Sequence, residues 1–513
     1  MRSRVPNIES ESMVLPARRD VLFWVSSFLA IVAVILALRL PALGIPLSRD
    51  EAAYAYIGHN LPNGVIPYRD VFDHKGPLVY LAYAGILTLF QTPPEVRLAF
   101  SLLFLLDIVL VMAIGKLIGG RTVALIAAML FGVAGSSYFV QGMDGNTEHL
   151  MLPLALGCIY LLLLAERRQI AWPWALSGLT AAFAVMTKPV GLSLVAAAGV
   201  FILLRHGFSG VAVRSGLRYA VGFAIGTGVV VSAFGVAGAL PQFWQQVFAY
   251  NLGRYGWFHG MPEEFASSTG ALLRWLVNVP LPVALLAPLA MVGAVSYRRL
   301  SLPWAVHLLV PWAVFDFLAA KYGIHYFPHY YYPLIAPLSL LAAVTLAGIF
   351  HEARTAWPRL TTSQLLAILA LVGLCLFYAW RLLPWYRHYS PAEAFLAMYS
   401  RESEVALDAP ELVAAIQSYS DPDDKIFIWG AEPELYWLAE RRATTRFIYH
   451  YPARDNPVLL RELLADLEES PPVLVLIDEA EPAAEMREFV QHFGYLSQGM
   501  LGRMHFYRRT AAP

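Results

Sequence analysis

Long apolar stretches alternate with short polar connections over most of this chain. The hydrocarbon core of a bilayer is about 30 Å thick, so a helix that crosses it needs about 20 predominantly apolar residues. About eleven stretches meet that requirement, and they predict a polytopic α-helical membrane region over residues 21–383. The predicted spans are 21–43, 98–115, 121–140, 149–165, 172–187, 190–205, 219–240, 270–296, 302–320, 332–350 and 363–383.

The distribution of Lys and Arg predicts how these spans are oriented. Four arginines lie within the first 19 residues, and further basic clusters occupy alternate loops along the chain. By the positive-inside rule, residues 1–20 form a cytoplasmic tail and the C-terminus lies outside. The apolar segment 76–90 is too short for a span, and counting it as one would break the charge pattern. We therefore predict an interfacial or re-entrant helix within a large outer loop, residues 44–97.

The character of the sequence changes at about residue 384, where charged residues become more frequent. Runs typical of β-strands then alternate with helical patterns, which predicts a small α/β domain. We expect this domain, residues 384–513, to lie outside the membrane and to be tethered by the last span. Its predicted strands are 425–429, 445–450, 473–477 and 504–508, and its helical patterns are 391–418 and 457–469.

Composition supports the membrane assignment and excludes other classes. Hydrophobic residues make up 58% of the chain and charged residues only 14%, whereas soluble proteins carry about 25% charged residues. The mean hydropathy is +0.55. The 37 basic side chains balance the 37 acidic ones, so no basic surplus suggests a nucleic-acid partner.

An acidic pair, Asp50-Glu51, follows the first predicted span by only a few residues. Ser48 and Glu51 have the spacing of a capping box, so a helix start alone would explain those two residues. Asp50 is not needed for the cap, and an acid beside the acyl boundary is costly unless it has a function. We therefore take Asp50 and Glu51 as candidate catalytic residues, and Tyr54 as a candidate substrate contact.

A second polar cluster, residues 69–77, precedes the apolar segment 76–90. It contains His74 and Lys75 among five ionisable side chains, and a solvated loop is the alternative interpretation. Further polar groups lie in the other outer loops, where capping of the fourth span and an aromatic belt of tyrosines are the structural alternatives. The candidates there are Asp144, Glu148, Lys188, Lys321, His329 and Tyr330, and Arg254 is a further basic candidate.

Acids and cations gathered at one membrane face suit chemistry on a lipid-linked anionic substrate. Transfer of a sugar from a polyprenyl phosphate needs a carboxylate that removes the acceptor proton. It also needs cations where negative charge develops on the phosphate. No metal site is predicted, because Pro328 disfavours a regular helix between His325 and His329.

Two other classes of membrane protein would share this topology. A secondary transporter would show inverted repeats and broken helices near the midplane, whereas these polar groups cluster at one interface. A non-catalytic lipid-glycan-binding protein would keep the topology without needing Asp50. An enzyme explains the acidic pair and the cations together.

Several motifs resemble the bacterial family 39 glycosyltransferases of the GT-C superfamily. That superfamily includes the protein O-mannosyltransferases and the lipid A aminoarabinose transferases. The resemblance covers roughly residues 20–350. The motifs are Asp50-Glu51, His74-Lys75-Gly76-Pro77, Glu148, Lys188-Pro189 and Pro328-His329-Tyr330-Tyr331.

The resemblance implies an inverting glycosyltransferase of the bacterial cell membrane, with its active site on the outer face. The donor would be a polyprenyl-phosphate sugar, and the acceptor a glycan, a lipid or a protein. By the family pattern Asp50 is the base, and Lys75 lies where a related transferase places a lysine near the donor phosphate. No cofactor is certain, although some members of the superfamily use a divalent metal. The remaining candidates are phosphate-binding His74, Lys188 and Lys321, and substrate-binding Glu148, Asp144, His329, Tyr330 and Tyr54.

Overall fold

A computed structural model describes residues 18–255, 278–296, 301–321, 327–356, 379–383, 390–399 and 404–509. Most of the predicted spans coincide with apolar helices within these ranges. Six helical stretches are long and apolar enough to cross a membrane: Leu22–Gly44, Pro93–Gly135, Thr147–Arg168, Pro189–His206, Gly210–Val236 and Pro303–Ala320. Further helices within predicted spans are Trp172–Thr187, Leu281–Val295 and Ile335–Ala356.

Two predicted spans, 98–115 and 121–140, belong to the single helical stretch Pro93–Gly135. The stretch is interrupted at Gly120, whose φ of 76° lies in the region that glycine adopts at least cost. The predicted division at about residue 120 therefore has a local backbone cause. Residues 270–277 and 363–378 of two other predicted spans lie outside the described residues.

The outer loop contains two short helices, Arg49–Asn60 and Leu78–Leu87. Leu78–Leu87 has ten residues, which at about 1.5 Å per residue is half the length needed to cross the hydrocarbon core. Its tyrosines Tyr80 and Tyr83 are fully buried and contact Tyr54 of the other helix, with ring centroids 6.2 and 5.6 Å apart. The prediction of a non-spanning helix at 76–90 agrees with this length.

The C-terminal region contains a five-stranded sheet. The strands are β1 Lys425–Trp429, β2 Arg442–Ala443, β3 Leu474–Asp478, β4 Tyr495–Leu501 and β5 Met504–Arg509. Their order in the sheet is β2-β1-β3-β5-β4. Strand β1 pairs in parallel with β2 and β3, and β5 pairs antiparallel with β3 and β4. The helices are Pro391–Tyr399, Glu404–Leu407, Ala409–Tyr419, Pro433–Leu438, Tyr451–Arg454, Pro457–Glu469 and Ala484–His492.

The predicted strand 445–450 is wrong, and β4 was missed. The apolar side chains of 445–450 pack against the outer loop instead: Phe447 stacks on Phe72 at 5.7 Å, and the Phe72 N–H donates to the Arg446 carbonyl at 2.7 Å. β4 is mostly exposed and lacks the apolar run expected of a buried strand.

The C-terminal domain is packed directly onto the outer loop, a contact that the sequence did not predict. One hydrophobic cluster contains residues of both regions. Tyr56 of helix Arg49–Asn60 lies 5.6 Å from Tyr436, and its hydroxyl accepts from the Ala443 N–H at 3.0 Å. Arg49, next to Asp50, donates to the Ala431 carbonyl at 2.8 Å. The domain therefore contacts the helix that carries the acidic pair.

Candidate active site

A solvent-connected cleft lies where the outer loop meets the ends of the long helices. Polar and apolar side chains from distant parts of the sequence meet in it. The cleft is lined by His74, Lys75, Glu148, Met151, Lys188, Pro189, Val190, Ser193, Asn251, Asp316, Ala319, Ala320, Tyr330 and Pro333.

Asp50, in the first turn of helix Arg49–Asn60, is not itself a lining residue of this cleft but lies at its edge, against the lining residue Lys75. Its carboxylate accepts a hydrogen bond from Lys75 Nζ at 3.0 Å, and 28% of its side chain is exposed. Burial raises the pKa of the Asp50 carboxyl, but the Lys75 ammonium, its hydrogen bond and the nearby His329 and His74 together lower it by more, so this pKa lies well below its usual range. Asp50 is therefore an accessible, ionised carboxylate beside a cation.

The position of Lys75 depends on the loop that carries it. The Tyr68 hydroxyl donates to the Lys75 carbonyl at 2.6 Å. The next residue, Gly76, passes so close to the end of helix Trp172–Thr187 that a Cβ would lie 2.0 Å from the Met186 carbonyl oxygen. Only glycine allows this approach, and the approach brings Lys75 to the same cleft as Lys188.

Glu148 and Lys188 form a second acid–lysine pair in the cleft. Glu148 is in the first turn of helix Thr147–Arg168, and its carboxylate is salt-bridged to Lys188 Nζ. Lys188 also lies 4.3 Å from the ring centroid of Tyr330. Thr147 Oγ1 donates to the carboxylate at 2.8 Å, and His329 Nε2 is 3.9 Å away from it. The second lysine is thus fixed between a carboxylate and an aromatic ring.

His329 does not line the cleft, but it supports this second pair. Its Nδ1 is 2.6 Å from Gln141 Oε1, and its ring is stacked on Phe327. Burial lowers the pKa of His329 to about 4, although Glu148 nearby acts in the opposite direction. His329 is therefore neutral at pH 7 and acts as a hydrogen-bonding group.

Glu51 is adjacent to Asp50 but lies in a different environment, with none of its surface exposed. It completes the capping box with Ser48, accepts from Arg97 at 3.0 Å, and accepts from the Gly145 N–H at 2.5 Å. Arg97 is also buried and donates to backbone carbonyls of the outer loop, Ile45 among them. Glu51 is therefore fully occupied by structural contacts.

Three other predicted candidates do not line the cleft. Asp144 accepts from the Tyr399 hydroxyl and lies 3.6 Å from Arg97. Tyr54 is fully buried, and its hydroxyl has no hydrogen-bond partner among the described residues. Lys321 donates to the Asn278 carbonyl at 2.8 Å. The side chain of Arg254, like residue His325, lies outside the described part of the chain.

Sequence reasoning missed Arg97 and three polar residues of the cleft, Ser193, Asn251 and Asp316. Asp316 was detectable, because it is a single acid within the predicted span 302–320 and such residues usually have a function. Arg97 was not detectable from the sequence, because it lies just before the predicted span 98–115 and was indistinguishable from an ordinary loop residue. In the described ranges, no group of three or more His, Cys, Asp or Glu side chains is arranged to hold a metal ion.

Comparisons with known proteins agree with this fold. Residues 74–233 match a family model described as dolichyl-phosphate-mannose-protein mannosyltransferase. The structure of ArnT from Cupriavidus metallidurans bound to undecaprenyl phosphate is similar, with a TM-score of 0.65 and 16% sequence identity over 96% of this chain and 98% of ArnT. No curated protein sequence matches.

A second similar structure is the oligosaccharyltransferase AglB from Archaeoglobus fulgidus, in complex with an inhibitory peptide and a dolichol-phosphate. Its TM-score is 0.50, with 13% identity over 96% of this chain and 75% of that chain. The predicted GT-C fold and the resemblance to mannosyltransferases and aminoarabinose transferases are confirmed.

Proposed function

We propose that this protein transfers a sugar from a polyprenyl-phosphate carrier to an acceptor at the outer face of a bacterial cell membrane. The observation that carries the proposal is the convergence of two lysines, Lys75 and Lys188, on one cleft at whose edge Asp50 is ionised. The similar ArnT structure is bound to undecaprenyl phosphate and the similar AglB structure contains a dolichol-phosphate, which supports a lipid phosphate as the ligand.

In the proposed reaction, an acceptor hydroxyl or amine attacks the anomeric carbon of the donor sugar. The bond between that carbon and the phosphate oxygen breaks, and its electron pair stays on the leaving polyprenyl phosphate. Lys75 and Lys188 stabilise the charge that develops there. Asp50 takes the proton from the attacking group, and attack opposite the phosphate inverts the configuration.

The pairing of Asp50 with Lys75 would make proton removal by Asp50 follow the binding of the donor phosphate. While Lys75 donates to Asp50, the low pKa of that carboxyl makes it a weak base. A bound phosphate competes for the same ammonium, and withdrawal of Lys75 would raise the pKa of Asp50. The base would then become stronger only when the donor is in place, which limits nonproductive proton transfer.

The proposal also places the cleft outside the cell. Cysteine labelling tests this orientation in a variant that lacks Cys158 and Cys375. A cysteine replacing exposed Gln91 should react with an impermeant maleimide in intact cells, whereas one replacing exposed Lys116 should react only after lysis. Labelling of position 116 in intact cells would contradict the proposed topology.

The reaction itself can be tested without knowing the sugar or the acceptor. Membranes of a deletion strain contain both, and the unused donor should accumulate there. Purified protein added to these membranes should consume one polyprenyl-linked sugar and modify one envelope component, as followed by mass spectrometry. Consumption of no such lipid by the folded protein would reject the enzyme. Binding of the lipid without transfer would instead indicate a non-catalytic lipid-glycan-binding protein.

A further inference from the structure

Asp316 is a lining residue of the cleft that belongs to an apolar helix, where an acid is unusual. It belongs to helix Val306–Ala320, within the candidate span Pro303–Ala320, and only 6% of its surface is exposed. It lines the cleft together with Ser193 and the small side chains Ala319 and Ala320. It belongs to none of the motifs that carried the family resemblance.

The Asp316 carboxylate is incompletely satisfied. Its Oδ2 atom is buried without a hydrogen-bond partner among the described residues, and no described Lys, Arg or His lies within ion-pair distance of it. The hydroxyl of Ser193 and the indole of Trp312 are its polar neighbours. A buried polar group without a partner costs folding free energy. That cost suggests that a ligand supplies the missing donors.

The chemistry of the cleft limits what that ligand group can be. The cations Lys75 and Lys188 suit a phosphate, whereas a carboxylate repels one. Among the lining residues, Met151, Val190 and Ala319 are apolar, whereas the side chains of Asp316 and Ser193 can make hydrogen bonds. An acceptor group of this kind fits hydroxyls, which a sugar ring carries on adjacent carbons.

We propose that Asp316 and Ser193 form the subsite that recognises the donor sugar, with the carboxylate accepting hydrogen bonds from its hydroxyl groups. The inference rests on the proposed function, because it assumes that the phosphate lies at Lys75 and Lys188. A site built to bind a hydroxyl discriminates strongly against ligands without it, since its own polar groups are then left unpaired. Asp316 therefore determines which sugar is accepted, and the lysines hold the carrier common to all donors.

The test compares binding of two kinds of probe to the full-length protein in nanodiscs. One is bare decaprenyl phosphate, and the other is a panel of decaprenyl-phosphate sugars that carry mannose, glucose, galactose or N-acetylglucosamine. The wild type should bind at least one sugar-bearing lipid more tightly than the bare lipid. Asp316→Asn should reduce that preference roughly tenfold to hundredfold, the range for one hydrogen bond to a charged group. Its affinity for the bare lipid should be unchanged or higher.

Two further variants keep the inference testable if Asp316→Asn folds poorly. Ser193→Ala should reduce the same preference by a smaller factor without altering the acid. Asp107→Asn is the matched control, because Asp107 is also a buried acid of a membrane helix with an unpartnered oxygen among the described residues, but it does not line the cleft. This control should leave the preference unchanged.

The possible negative results of these binding measurements separate failure of the sugar subsite from failure of the proposed function. Equal weakening of bare and sugar-bearing lipids in Asp316→Asn, or an unchanged preference, would overturn the sugar subsite. So would a wild type that binds every lipid equally, which would point to a groove for the isoprenoid chain. A wild type that binds none of the probes, bare lipid included, would instead overturn the proposed function.

Discussion

Asp50 and Glu51 are neighbours in sequence and have opposite environments. The Asp50 side chain is partly exposed at the cleft edge, where the one side-chain hydrogen bond it accepts from the described residues comes from the ammonium of Lys75. Glu51 is fully buried between Arg97, Ser48 and the Gly145 N–H. Successive helical residues point about 100° apart, so one helix start can present one acid to the cleft and the other to the core.

This difference shows why an acidic pair should not be treated as one functional unit. A carboxylate that already accepts a buried arginine and two backbone N–H groups is occupied and has little capacity for a substrate proton. A carboxylate held by one lysine can be released when that lysine moves to a phosphate. From this contrast we propose that Asp50 takes part in the chemistry and that Glu51 stabilises the outer loop.

Glu51→Gln should have the largest effect on stability. It removes a charge paired with buried Arg97, and breaking a buried pair costs about 3 kcal/mol or more. Thermal unfolding in detergent measures the loss. The matched control is Glu95→Gln, because Glu95 completes a capping box with Thr92 but is exposed, so its loss should be much smaller. Equal stability losses in the two variants would show that the buried ion pair between Glu51 and Arg97 does not add to stability.

Lys75→Ala should have the next largest effect, on transfer. Loss of one cation at the developing phosphate charge should slow transfer about a hundredfold. Lys75→Arg should restore only part of the activity, because a guanidinium is larger and planar. Lys116→Ala, which removes an exposed lysine away from the cleft, serves as the control. Normal turnover and donor binding in Lys75→Ala would place the phosphate elsewhere.

The dependence of transfer on pH sharpens the comparison further. In the free enzyme the pKa of Asp50 is depressed, so Asp50 stays ionised and gives no loss of kcat/KM down to about pH 5. Lys75→Met removes the cation, so burial then dominates and the pKa of Asp50 rises. The acidic limb of the remaining kcat/KM should therefore move to higher pH. An acidic limb at the same pH in both proteins would show that Lys75 does not control the base.

The smallest expected effect is that of replacing Asp73, which should stabilise the protein, whereas replacing Glu51 should destabilise it. It is buried, and no described Arg or Lys lies within ion-pair distance. Burial raises its pKa to about 6, although Lys75 acts in the opposite direction. Because this folded-state pKa exceeds the unfolded value of about 4, stability is lost as pH rises from about 4 to 6. Asp73→Asn should raise the free energy of unfolding by on the order of 1 kcal/mol at pH 8, and change it little at pH 4.

Much of the fold followed from the apolar runs, because a bilayer leaves few alternatives to helices of that length. The candidate site could be predicted from the sequence only in part. The sequence identified Lys75 and Lys188 as separate candidates, but the close approach of Gly76 to Met186 that brings them together is a tertiary contact. The wrong strand at 445–450 has a similar cause, because its apolar residues bind the outer loop and not the sheet.

The central claim is that Asp50, and not Glu51, is the base. The direct test measures single-turnover transfer from the accumulated polyprenyl-linked sugar of the deletion strain, using folded wild type, Asp50→Asn and Glu51→Gln at equal concentrations. Asp50→Asn should bind the donor normally and transfer about two to four orders of magnitude more slowly. Glu51→Gln, corrected for its folded fraction, should transfer within about tenfold of wild type. Wild-type transfer by Asp50→Asn would contradict the assignment, and an inactive but folded Glu51→Gln beside it would show that the two roles are reversed.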